Sequence, residues 1–183
     1  MTAYLVLLVA VFSRLLPHLT HSAGIGFTAV GGGLLYFGAK RNRWHAIVAT
    51  LALMATDYYL TVYAYGYAFH ASHYLPTWAW YAGVCLMANA TLAKKQSVLR
   101  VTGAVLASAT SFFVISNFFV WAWSNMYAKS LSGLAACYVA AIPFYRNDVI
   151  ATGLIAGVLF GLPALVRQMT ATHEAASDSH LAH

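Results

Sequence analysis

From Ser111 the chain reads S-F-F-V-I-S-N-F-F-V-W-A-W, an apolar stretch with one amide, Asn117, near its middle. It belongs to a longer apolar run, residues 101–124, which as a helix rises ~36 Å at ~1.5 Å per residue and so exceeds the ~30 Å hydrocarbon core of a bilayer. An amide at that depth is costly unless it meets a partner or faces a cavity. Only 8% of the residues are charged, against roughly 25% in soluble domains, so the expected solvent is lipid. The net charge of +6 sits mainly in short loops, where it acts as a topology signal and implies no nucleic-acid partner.

The pattern predicts an all-α, polytopic membrane protein with six transmembrane helices. They cover residues 2–16, 23–39, 45–65, 77–93, 101–124 and 149–166. The segment 131–145 rises only ~22 Å and is read as an extra partial helix in the fifth loop. The alternative is seven spans, with Arg146 in a cytoplasmic turn. Asp57 is then the only acidic residue within a span. One domain, residues 1–167, is expected, followed by a polar tail, 168–183, with nothing to pack and hence disordered. Arg14 interrupts the first apolar run and no basic region precedes it, so this run is read as a retained helix and not a signal sequence.

Lys40, Arg41 and Arg43 form one basic loop, and Lys94, Lys95 and Arg100 a second. Two helices separate them, so they share a face, which charge bias assigns to the cytoplasm together with the N-terminus. The location expected is a cell membrane, crossed several times. Arg14 and Asp57 then lie at matching depths, each ~17 Å from the cytoplasmic boundary, and opposite charges at one depth predict an interaction.

Two further patterns concern packing. Gly24, Thr28 and Gly32, spaced by four, form a small-residue stripe suited to close helix contact, either inside the bundle or with another subunit. Gly103, Thr110, Asn117 and Ser124 recur at seven-residue steps, with Ala107 and Trp121 between them, so one face of the fifth helix is small and polar. Aromatic residues crowd the outer ends of helices three to five, among them Tyr58, Tyr63, Tyr74, Trp78, Trp80, Tyr81, Trp121 and Tyr127. They fit an aromatic-lined cavity or a thick interfacial belt.

Catalytic and metal chemistry find little support. There is no P-loop, G-x-S-x-G or H-E-x-x-H motif, and four acidic residues leave little for acid–base work, so no enzyme and no cofactor are expected. The pairs His18/His21 and His70/His73 lack a carboxylate or cysteine beside them and are not assigned to a metal. Cys85 and Cys137 lie in apolar runs and read as small hydrophobes.

Arg14-Leu15-Leu16-Pro17-His18, Asp57, Asn117-Phe118-Phe119-Val120-Trp121, Gly133-Leu134 with Cys137-Tyr138, and Ala141-Ile142-Pro143-Phe144-Tyr145-Arg146-Asn147 together resemble a bacterial family of small integral membrane proteins of unknown function. The resemblance covers nearly the whole chain except the tail. That family is similar, in length and six-helix layout, to the substrate-binding S components of energy-coupling-factor (ECF) vitamin transporters. The similarity implies an outward-facing pocket for a small vitamin-like molecule and a transmembrane coupling subunit as partner. Candidate ligand contacts are Arg14, His18, Asp57, Asn117, Trp121, Tyr127 and Asn147, and Gly24, Thr28 and Gly32 are the candidate subunit contact. The competing expectation is a structural accessory subunit of a larger membrane complex.

Overall fold

The computed structural model describes the backbone of residues 1–19 and 28–181, and their side chains except Pro17, Leu19 and residues 172–181. Every regular element among the described residues is helical: α1 (Thr2–Ser13), the single turn α2 (Leu16–Leu19), α3 (Val30–Lys40), α4 (Ala46–Tyr59), α5 (Ala71–Leu92), α6 (Val98–Trp123), α7 (Leu131–Ala156) and α8 (Leu162–Leu181). A 3-10 turn, Arg43–His45, leads into α4, and a π-type turn, Leu60–Ala64, extends it. Three helices are long and apolar enough to cross a membrane: Arg43–Ala64, Val98–Trp123 and Leu131–Ala171.

The small-residue helix α3 is the axis of the bundle, with every residue from Val30 to Ala39 buried. Its composition explains this position. A Cβ added at Gly31 would lie 2.3 Å from Thr152 Oγ1 of α7, and one at Gly38 would lie 2.3 Å from the Cys85 carbonyl oxygen of α5. Both distances are inside van der Waals contact, so only glycine lets these helices approach so closely. Gly33 meets Ala10 of α1 in the same way. Ser13 ties α1 to the start of α3, accepting a 2.9 Å bond from the Ala29 N–H while donating to Ala10 O.

The two basic loops meet at one end of the bundle. Lys40 Nζ donates to Gln96 Oε1 at 3.1 Å, Asn89 Nδ2 donates to the Arg41 carbonyl at 2.7 Å, and Arg100 donates to Thr91 O. The Arg41 guanidinium stacks over Tyr4 near the N-terminus, 4.4 Å from the ring centroid. Basic charge from loops distant in sequence is thus gathered on one face.

The largest departure from expectation is α7. The segment 131–145, expected as a separate partial helix, and the segment 149–166 form one continuous helix that runs through a π-type turn, Gly157–Gly161, into α8. There is accordingly no turn at Arg146, and neither a partial helix in the fifth loop nor a seventh span describes this region. The polar triplet Arg146-Asn147-Asp148 suggests a break only if each polar group needs solvent. Here Arg146 and Asn147 are exposed and Asp148 is half-buried, with Asn147 and Asp148 bordering an open cavity, so each group is accommodated without a break and the helix continues past them. Pro143 is accommodated inside α7, as Pro76 is inside α5, which begins at Ala71 and not at residue 77. The backbone is also helical to Leu181, past the expected boundary at residue 167, and residues 162–171 are exposed throughout.

Candidate functional site

Asp57 lies in the last turn of α4, where the helix widens into its π-type turn, and is 2% exposed. A lone carboxylate so buried would be strongly destabilising, and the end of α1 together with α5 supplies its partners. Arg14, just past the end of α1, places Nη2 2.6 Å from Asp57 Oδ1. From α5, Trp78 Nε1 donates to Oδ2 at 3.0 Å and the Tyr81 hydroxyl reaches the same oxygen at 3.5 Å. Arg14 Nη1 in turn donates to Tyr81 Oη at 2.5 Å. The expected contact between Arg14 and Asp57 is therefore direct. A second hydrogen-bonded turn follows, because Thr61 donates to the Asp57 carbonyl and its hydroxyl meets Tyr74 Oη at 2.5 Å.

Of these side chains Arg14, Asp57, Tyr74 and Tyr81 border a cavity of about 380 Å³. Arg14, Asp57, Tyr74, Thr77, Trp80 and Tyr81 line one side, Thr28, Val30 and Gly31 the α3 side, and Phe112, Phe144, Asn147 and Asp148 the side of α6 and α7. The volume lies at the lower end of the range of small-molecule pockets, ~300–1,000 Å³. The wall is also of the usual kind, with aromatic faces and a few converging polar groups. Trp80 is held in place by a 3.0 Å bond from Nε1 to Ser111 Oγ and by Phe112, whose ring centroid is 4.7 Å away.

The candidate residues divide sharply. Arg14, Asp57 and Asn147 come together in this cavity. Asn117 lies in a smaller adjoining pocket of about 140 Å³, bordered also by Phe112, Phe144 and Asp148, and its Nδ2 donates back to Phe113 O of its own helix at 2.8 Å. Trp121, in the last turn of α6, is tied to the α6–α7 connection, with Nε1 donating to Ala128 O at 2.9 Å and its carbonyl accepting from Lys129 Nζ. Tyr127 sits half-buried in that same connection, and His18 is exposed with its ring against Tyr65, 5.6 Å between centroids. None of these three lines the cavity. Thr28 lines the cavity, Gly32 is packed on Ile155 and Ala156 of α7, and Gly24 lies outside the described residues, as does His21.

Several contributors escaped the sequence reading. Asp148 was placed outside the spans because a helix boundary was expected there, and its position inside α7 makes it a second acidic residue within a long apolar helix. In the sequence Trp78 and Tyr81 are indistinguishable from the other members of an aromatic crowd. That crowd serves two ends, since Tyr74, Trp80 and Tyr81 line the cavity while Tyr58, Tyr59, Tyr63, Tyr65 and Tyr67 are exposed in the manner of a belt. An open small-residue face also exists, along α7 and its continuation beside α6. Gly153, Gly157 and Gly161 follow at four-residue steps, and nothing lies within 4 Å of a Cβ added at Gly157 or Gly161.

No curated protein and no solved structure matches the chain. A family profile covers residues 1–175 of the 183. The chain therefore belongs to DUF6580, a family of unknown function.

Proposed function

We propose that this protein is an integral membrane protein of a bacterial inner membrane that binds a small vitamin-like molecule in the Arg14–Asp57 cavity, as the substrate-binding subunit of a transporter. In this reading α1, α3, α4, α5, α6 and α7 are the six spans, and both ends of the chain are cytoplasmic. The clustering of Lys40, Arg41, Lys94, Lys95 and Arg100 at one end supports that orientation through charge bias. One observation carries the binding reading: a buried ion pair with its own hydrogen-bond shell forms the wall of a ligand-sized cavity inside an apolar bundle. Ionisable residues inside membrane domains are expensive, and they commonly mark substrate or ion pathways.

A second reading, an accessory subunit of a larger membrane complex, draws support from the open face at Gly153, Gly157 and Gly161, which suits close approach of a partner helix. Purification from native membranes, followed by mass spectrometry of bound small molecules and of co-purifying subunits, separates the two. The first reading expects a small molecule that is retained by wild type and lost in Tyr81→Phe or Asn147→Leu protein that remains folded. A stoichiometric membrane partner with no small molecule would overturn it in favour of the second.

A further inference from the structure

We infer that the cavity selects a small organic cation, a protonated amine carried on an aromatic or apolar body, with Asp148 as its counter-ion. The inference rests on the cavity being the binding site and adds the chemical class of its ligand. Charge balance within the wall is the argument. Arg14 and Asp57 neutralise one another, and both terminal nitrogens of Arg14 are engaged, one by Asp57 Oδ1 and one by Tyr81. The guanidinium is therefore committed and does not present itself to an anionic ligand. Both oxygens of Asp57 are likewise occupied, by Arg14 on one side and by Trp78 and Tyr81 on the other.

Asp148 differs. It borders the main cavity and the adjoining pocket near Asn117, it is half-buried, and its bonded partner is the Thr152 hydroxyl at the long distance of 3.4 Å. Among the described residues no cationic side chain pairs with it, the Arg14–Asp57 contact being the ion pair found there. Its neighbour Arg146 is exposed. Among the described residues the cavity thus carries one carboxylate without a cationic partner, half-buried beside aromatic walls. Trp80, Phe112 and Phe144 offer ring surface to an apolar body, and aromatic faces also attract an ammonium group within ~6 Å of a ring centroid.

The test uses full-length protein in detergent and matched probes that differ only in charge: tryptamine with tryptophol, and phenethylamine with phenethyl alcohol. Affinity is read by isothermal titration and by the thermal shift. Wild type should bind the amines at least about tenfold more tightly than the alcohols. Asp148→Asn should abolish that preference, bringing amine affinity down to that of the matched alcohol, and Asp148→Glu should restore part of it. Equal binding of amine and alcohol by wild type, or an amine preference that survives Asp148→Asn, overturns the cation assignment while the cavity stands as a binding site. If no probe binds and the protein from native membranes also carries no small molecule, the binding reading itself fails, and the ligand class fails with it.

Discussion

The environments of Asp57 and Asn117 begin from the same kind of signal, a polar residue set in a long apolar helix, and end differently. Asp57 draws a guanidinium from beyond α1 and an indole and a phenol from α5, so its bonds cross helices and hold three of them in register. Asn117 spends its N–H₂ group on Phe113 O one turn back in α6, and its main interhelix contact is a weak one, from Cys137 Sγ to its carbonyl at 3.5 Å. A charge cannot be satisfied by its own helix backbone alone, whereas an amide largely can. The formal charge therefore organises tertiary structure, and the neutral amide is accommodated by it.

The largest effect expected of that difference is at Asp57. Replacing it with Asn leaves Arg14 buried without its counter-charge and should cost ~3–5 kcal/mol, read as thermal stability in detergent. Arg14→Gln should cost a comparable amount for the reciprocal reason, and the double variant should recover part of the loss. Additive losses in that double-mutant cycle would mean that the pair is not coupled. Gly38→Ala tests whether the tight region depends on helix approach as well as on charge. Its Cβ would collide with the Cys85 carbonyl, and a loss of ~1–3 kcal/mol is expected, with a neutral result showing that α3 and α5 have room to separate.

On the other side of the comparison the expected losses shrink. Trp121→Phe removes the bond to Ala128 O and should cost ~1 kcal/mol, with faster amide exchange confined to the 124–130 connection. Exchange increasing across the whole bundle would contradict its local role. Asn117→Leu should change stability least, by ~0.6 kcal/mol or less, because the bond it loses lies within its own helix. A loss above that of Gly38→Ala would reverse the contrast between the two regions.

Legibility followed the chemistry. The pairing of Arg14 with Asp57 was readable because depth along a helix is fixed by residue count, and opposite charges at one depth in an apolar medium have few other partners. On the Asn117 stripe Gly103, Ala107 and Thr110 are exposed while Asn117 borders the smaller pocket, and the buried face of α6 is that of Ala104, Val105, Ser108 and Ala109. Seven-residue recurrence identifies a face but not what the face meets. The small-residue signal behaved likewise. It correctly marked a close contact at Gly32, yet whether the other wall belongs to the same chain depended on where α7 lies.

By itself, the sequence determined the helical class, the long apolar spans, the grouping of basic loops at one end and the need for Arg14 and Asp57 to meet. Each of these follows from local composition, helix geometry and the cost of an unpaired charge. Only the tertiary structure decided that residues 131–181 are a single helix and that Asn147 and Asp148 line a cavity. It alone assigned Trp78 and Tyr81 to the Asp57 carboxylate. A polar triplet need not end a helix when its groups reach the surface or an open cavity from the helix itself, as exposed Arg146 and Asn147 and half-buried Asp148 do. Whether such a cavity exists is set by how distant helices pack, and no stretch of the chain carries that information alone.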